Sequence, residues 1–243
     1  MYLIKLFREY IELAKLQKEM AAFFPSFAEQ KTWLNKLNKV DKNVKSAHNA
    51  SHILQFLIAI LKLPKDAKGC IVEAGAYKGA GTCKISLFAE HVGRELFIFD
   101  SFEGLPKNNE AHEKSLEGHS IKGWFDAGNF SGTLNEVTSN VTNYGAIDTC
   151  HFIEGWFENT MPLFNQPVAL AYLDVDLAGS TKTCLKYLYP LLSIGGCIYS
   201  QDGDFPLVVE VLKDEKFWKE EVGCEQLPEI IGLGKKITII KKV

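Results

Sequence analysis

The sequence predicts an α/β fold: a doubly wound, mostly parallel, Rossmann-like sheet of seven strands with flanking helices and a helical N-terminal extension. Three observations predict it. Apolar runs of strand length alternate with helix-periodic stretches along residues 65–243, the pattern of repeated βα units. Several of these runs end in acids, at Glu73, Asp100, Asp174 and, one residue on, Gln201-Asp202, and open α/β sheets bind ligands at such strand ends. The first run, Cys70-Ile71-Val72-Glu73, leads into a turn carrying Gly75, Gly79 and Gly81 and then into a helical segment.

Residues 1–64 are read as the extension and 65–243 as the main domain. Between Tyr2 and Phe24, Leu3, Ile4, Phe7, Ile11, Leu13, Ala14 and Leu16 recur at helical spacing among charges. This amphipathic helix, ended by Pro25, must bury its stripe against the main domain or against a second subunit, so a homo-oligomer through the N-terminal helices is expected. Trp33, Leu34, Leu37 and Val40 mark a weaker helix, and His52 to Leu61 a strongly apolar one that Pro64 stops. Gly69 to Glu73 is a strand, Thr82 to His91 a helix, and Leu96 to Phe99 the strand that ends on Asp100. The stretch from about 104 to 130 is polar and aperiodic, which reads as a lid loop over the strand ends. A helix from Thr133 to Asn143 precedes a strand over His151 to Gly155. Val168 to Leu173 is a near-continuous apolar run, as in a central parallel strand. Helix Ser180 to Leu192 turns through Gly195-Gly196 into strand Cys197 to Ser200, helix Leu207 to Trp218 follows, and Lys236 to Lys241 closes the sheet.

With 47% apolar and 12% aromatic residues, there is material for a sizeable core and no signature of disorder. A net charge of -3 with scattered lysines offers no basic field for a phosphate backbone, which argues against nucleic acid as partner. The six cysteines lie far apart with no C-x-x-C pair and read as small buried apolar residues in a reducing compartment. Lys5, Arg8, Glu9, Glu12, Lys15, Lys18 and Glu19 exclude a signal or membrane segment from the first helix, so the expected location is the cytoplasm, with no membrane partner.

The glycine turn selects the ligand. Glycines let the backbone take positive φ and approach a nucleotide closely, with the amides of the following helix facing it. A dinucleotide fingerprint would read G-x-G-x-x-G, whereas here the order is E-x-G-x-x-x-G-x-G, and no phosphate-loop motif occurs. A carboxylate two residues before the first glycine repels a pyrophosphate and suits a cation, so S-adenosylmethionine, with its sulfonium and ammonium, fits better. Asp100 stands where an acid accepts both hydroxyls of a ribose. A dehydrogenase using NAD shares the fold but not the glycine spacing; a non-catalytic S-adenosylmethionine-binding protein is the other alternative.

These residues resemble the macrocin O-methyltransferase (TylF-type) family of S-adenosylmethionine-dependent enzymes over roughly residues 46–240. The resemblance is carried by Val72 to Gly79, by Phe99-Asp100-Ser101-Phe102-Glu103-Gly104-Leu105-Pro106, by Phe152 to Phe157, and by Leu173-Asp174-Val175-Asp176-Leu177 with Ser180-Thr181 and Tyr189-Pro190. It implies methyl transfer to a hydroxyl of a small, sugar-like molecule, and a Mg²⁺ site. On the matched segments the expected cofactor contacts are Glu73, Gly75, Ala76, Tyr77, Gly79, Asp100, Ser101, Phe102, Gly155, Trp156 and Asp174. The expected metal ligands are Asp174, Gln201 and Asp202. One departure stands out: where the family commonly has two adjacent aspartates, this sequence has Gln201-Asp202, one anionic ligand fewer.

Asp174 is the expected catalytic residue beside the metal, because a charge ending a wholly apolar strand needs a ligand, metal or cap to satisfy it. Asp176 reads equally as a cap for the helix starting near Ser180. Asp204 reads as a turn residue, and Trp156 as core or as an adenine platform. His112 and His119 read as surface loop residues or as the general base.

Overall fold

The computed structural model describes residues 2–111 and 113–243, without the side chains of residues 2–6, 8 and 9. Its strands are β1 (Cys70–Ala74), β2 (Leu96–Asp100), β3 (Cys150–Glu154), β4 (Val168–Leu173), β5 (Leu192–Ser200), β6 (Glu229–Ile231) and β7 (Thr238–Lys241). Its helices are α1 (Tyr2–Ala21), α2 (Phe27–Asn43), α3 (Ala50–Leu61), α4 (Ala80–His91), α5 (Leu134–Tyr144), α6 (Phe157–Thr160), α7 (Ala178–Leu191) and α8 (Pro206–Lys213). The strands form one sheet in the order β3-β2-β1-β4-β5-β7-β6. β7 alone runs opposite to the other six strands, pairing antiparallel with β5 and β6. Strand order reverses between β1 and β4, and the crevice at such a switch point is where open sheets hold ligands.

The pleat sorts the core into two layers. Ile71, Leu96, Ile98, Leu170 and Tyr172 face one side, packed with Phe56, Leu57, Ile60 and Phe88. Met20, Leu37 and Val40 of α1 and α2 belong to the same apolar cluster, so the N-terminal helices cover this face. Val72, Ala74, Phe99, Ala171, Leu173 and Ile198 face the other side, against Leu185, Leu188, Val208, Leu212 and Trp218. Every residue of β1 and β4 is buried, as expected of central parallel strands. By alternation Glu73 points to the same side as Ile71, toward α3 and α4. Its register partner on β4 is Tyr172, one step before the end of that strand.

Several elements differ from expectation for identifiable reasons. Of the stripe on α1, Phe7 is 64% and Ile11 37% exposed, and burial sets in only at half-buried Leu13 and Leu16 and at fully buried Met20; the side chains of Leu3 and Ile4 lie outside the described residues. Strand β5 begins earlier than expected: Val168 pairs with Leu192 and Leu170 with Cys197, so the Gly195-Gly196 turn is a bulge inside the strand. The three residues of β6 are too short to show alternation in sequence. Asp214 breaks the helix expected over Leu207 to Trp218; its carboxylate accepts from Phe217 N at 3.1 Å, starting a separate π-type turn, Phe217–Glu221. The stretch 104–130 is irregular, as expected, and is pinned by Ile121 and Phe125 in the second core layer. Among the described residues no helix is long and apolar enough to cross a membrane, and the six cysteines are free.

Candidate active site

At the carboxyl ends of β1, β2, β4 and β5 lies a cleft of about 1310 Å³, lined also by residues 45–49, α3 and the lid. Glu73 forms part of its wall while only 1% exposed. Its Oε2 has no hydrogen-bond partner. Burial, reinforced by the charges of Asp100 and Asp174 and opposed by Thr82, pushes its carboxyl up to about 8, so below that pH the empty site holds the acid mostly neutral and a bound cation would favour its ionised form. Two glycines make room for this arrangement. A Cβ on Gly81 would lie 2.6 Å from Glu73 Oε1, and one on Gly75, at φ +89°, would lie 2.0 Å from the Asp174 carbonyl oxygen. These glycines serve the close approach of the chain to itself as much as to a ligand.

Asp100 ends β2 with its carboxylate turned back over the glycine turn. Oδ2 accepts from Ala76 N at 2.6 Å and Tyr77 N at 3.4 Å, and Oδ1 from Phe102 N at 2.7 Å. Burial raises its pKa while those amides oppose the rise. Tyr77 (φ 49°), Phe102 (φ 57°) and Asp176 (φ 62°) hold left-handed backbone at the ends of three adjacent strands, a strain that clusters at functional sites.

The second half of the site is acidic. Carboxylate oxygens of Asp174, Asp176 and Asp202 lie within 4.8 Å of one another. Asp202 Oδ2 accepts from Val175 N at 3.0 Å and Asp176 N at 2.9 Å, while its buried Oδ1 has no partner. Burial and mutual repulsion raise the pKa of Asp174 and Asp176, and burial raises that of Asp202; Lys236 opposes all three. Asp176 does not cap α7. The lid residue Glu110 takes that position, accepting from Ala178 N at 2.7 Å and Gly179 N at 2.8 Å. Gln201 is 3% exposed and lines the cleft, and its amide oxygen accepts from the Tyr172 hydroxyl. Asp204 is more than a turn residue: it is buried, with Lys236 Nζ 3.4 Å from its carboxylate.

Of the remaining residues singled out in sequence, Ala76, Tyr77, Ser101, Gly155 and Trp156 line the cleft. Gly79 (φ 85°) stands at the N-cap of α4. Phe102 sends its ring into the first core layer, 6.5 Å from Phe152, and offers the site only its amide. His119 lines the cleft from the lid, 56% exposed and 3.4 Å from Glu117. His112 lies outside the described residues. Sequence reasoning missed His48, His52 and Lys236, all of which line the cleft. Burial, with Lys84 and His52 adding, pushes His48 down to about 3. Burial and then Lys236 push His52 down to about 4. The H-x-x-x-H spacing ahead of an apolar helix was the available signal.

A doubly wound sheet whose first crossover presents a buried acid beside the glycine turn suits a cationic nucleotide cofactor such as S-adenosylmethionine better than a pyrophosphate. Known proteins agree. The family model described as macrocin O-methyltransferase (TylF) matches residues 52–225, and the chain belongs to that family of S-adenosylmethionine-dependent O-methyltransferases. It is 27% identical over 207 residues to mycinamicin III 3''-O-methyltransferase of Micromonospora griseorubida, covering 81% of this chain and 74% of that protein. It is 30% identical over 159 residues to 8-demethyl-8-(2,3-dimethoxy-alpha-L-rhamnosyl)-tetracenomycin-C 4'-O-methyltransferase of Streptomyces olivaceus, covering 61% and 58%. The fold matches the O-methyltransferase NovP (TM-score 0.57, 20% identity, 88% of this chain and 80% of that one). It also matches the calicheamicin methyltransferase CalS11 (TM-score 0.59, 18% identity, 90% and 95%).

Proposed function

We propose that this chain methylates a hydroxyl of a sugar-like small molecule, with Mg²⁺ assisting. The observation that carries the reading is the meeting, in one cleft, of a buried acid with an unpartnered oxygen and of Asp174 and Asp176, which cluster with the buried Asp202 behind them. Glu73 would hold the cationic end of the cofactor, Gly75, Ala76, Tyr77 and Gly79 would approach it through backbone, and Asp100 with Ser101 would take its ribose. Gly155 and Trp156 would face the adenine. S-adenosylmethionine supplies a methyl group on a sulfonium, a leaving group good enough for direct displacement by an oxygen nucleophile.

The donor set fits a hard divalent cation: three carboxylates, one with an orphaned buried oxygen. Asp174, Asp176 and Asp202 are therefore the proposed ligands, with Asp176 replacing Gln201 in the set expected from sequence. A divalent ion bound there would acidify the acceptor hydroxyl. The chain's own contribution is alignment and removal of the hydroxyl proton. As the acceptor oxygen gains its methyl group, that proton passes to a carboxylate of the cluster, Asp176 in our assignment, with Asp174 orienting the oxygen. His119 is the alternative acceptor, and His119→Asn separates the two: turnover unchanged leaves the proton to Asp176, whereas turnover lost assigns it to His119.

Isothermal titration with S-adenosylmethionine and with NAD, followed by a screen of glycosides for release of S-adenosylhomocysteine, tests the reading. Binding of NAD alone would overturn it; cofactor binding with no turnover of any hydroxyl acceptor would favour a non-catalytic binder.

A further inference from the structure

We propose that His48 and His52 form the acceptor subsite of this cleft, hydrogen-bonding two neighbouring hydroxyls of a neutral, polyhydroxylated molecule. The inference rests on the reading that the cleft methylates a hydroxyl, and it adds which residues select the acceptor. Both rings line the cleft. His48 Nε2 and His52 Nδ1 are buried without hydrogen-bond partners, and the His48 side chain is only 6% exposed. Buried polar atoms are almost always paired, so two orphans in one cavity mark where a bound molecule completes the network. Their position agrees, since His48 Nδ1 lies 3.9 Å from Asp174 Oδ2 and an oxygen held by these rings stands beside the acidic cluster.

The supports are rigid. His52 sits in the first turn of α3, whose Phe56 packs against Tyr172 at 5.1 Å and Tyr199 at 5.4 Å. Burial keeps the His52 ring neutral near neutral pH, offering one N–H and one lone pair. By choice of tautomer the unpartnered nitrogen can donate to a hydroxyl or accept from it, whereas toward a carboxylate or phosphate it could only donate and would carry no charge to balance the anion. Lys236, the nearby cation, is engaged with Asp204 at 3.4 Å and stacked over Phe205 at 4.1 Å, so it does not make the pocket an anion site. The rim is polar too, with Gln55 Nε2 of α3 donating to Glu12 Oε1 of α1 at 3.4 Å.

The test uses the full chain with S-adenosylhomocysteine and isotope-labelled imidazoles followed by NMR. The probes are methyl glucoside, methyl mannoside and methyl xyloside, a deoxy counterpart of each, and glucose phosphate. At least one glycoside should move both ring resonances, while its deoxy counterpart and glucose phosphate should not. His52→Phe keeps the ring shape but removes both hydrogen-bonding atoms, and should weaken that glycoside at least ~10-fold, whereas His52→Asn should stay within ~3-fold of wild type. Affinity for S-adenosylhomocysteine should be unchanged in both, and thermal melts check that they fold. The proposal is overturned if no probe moves either ring, if only the phosphate does, or if His52→Phe binds the glycoside as wild type does. Failure of wild type to bind S-adenosylhomocysteine at all would instead bring down the methyltransferase reading, which this readout keeps separate.

Discussion

Replacing Glu73 by Gln should stabilise the empty protein at alkaline pH and weaken its cofactor. The carboxyl is 1% exposed and its pKa is pushed from 4.5 to about 8. Below pH 4.5 the group is protonated folded and unfolded, and it costs nothing. As pH rises toward 8 the unfolded chain ionises the acid while the folded one does not, so stability falls through that window and the loss is complete above it. At 1.36 kcal/mol per pH unit the penalty approaches about 5 kcal/mol. Glutamine removes the titration but buries an unpaired amide, so the net gain at pH 8 should be about 2–3 kcal/mol, or roughly 4–12 °C in Tm for a chain of this size. At pH 4.5, where the titration contributes almost nothing and the unpaired amide's cost remains, the variant should be about 2 kcal/mol less stable than wild type. Binding reads the same group from the other side: wild type must release a proton to pair with a sulfonium or ammonium, so S-adenosylmethionine affinity should rise by up to ~10-fold per pH unit below 8. The variant should bind weakly and without that slope. Melting curves from pH 4.5 to 9, with titration calorimetry in buffers of different ionisation enthalpy, measure both. A variant less stable than wild type at pH 8, or one with unchanged cofactor affinity, would refute the argument.

Three further outcomes follow from other contacts. Asp202→Asn keeps an oxygen for the Val175 and Asp176 amides but removes one charge from the cluster; it should weaken Mg²⁺ at least ~10-fold by calorimetry, leave S-adenosylmethionine affinity within ~3-fold, and, like EDTA, depress release of S-adenosylhomocysteine. Tyr172→Phe strands the buried Gln201 amide oxygen and should cost about 1–3 kcal/mol in urea unfolding, much of it recovered when Gln201→Leu removes the other partner. Glu110→Ala uncaps α7 and unties the lid from it, so about 1 kcal/mol of stability should be lost and proteolysis within 104–130 should accelerate; an unchanged cleavage rate would show that Ile121 and Phe125 alone hold the lid.

The central sheet was legible because its strands are buried on both faces. Such strands read as apolar runs whatever the loops between them do, and β1, β2 and β4 lie within a residue or two of where their runs placed them. The periphery was harder for the converse reason. The edge strand β6 buries almost nothing, β5 reaches Leu192 only through a bulge, and Phe7 and Ile11 of the apolar pattern on α1 are left exposed by the packing. In those places hydrophobicity and burial part company, and a reading built on pattern has nothing to follow.

In the site, strand-end acids were found because an acid after an apolar run is conspicuous, and Glu73, Asp100, Asp174 and Asp202 do converge on the cleft or the cluster beside it. What sequence could not assign was which neighbour satisfies each group. Asp176 read equally as a helix cap and as a functional acid, and Glu110, 66 positions earlier in the chain, occupies those amides instead. Gln201 reads from sequence as a metal ligand, and in the fold its oxygen also accepts from the Tyr172 hydroxyl. Both contacts arise only on folding, and one has a consequence for the cluster: with Glu110 on the α7 amides, Asp176 stands with Asp174 and Asp202. The cluster therefore keeps three carboxylates despite the glutamine. The glutamine removes one charge from the site, yet three carboxylates remain within reach of a cation.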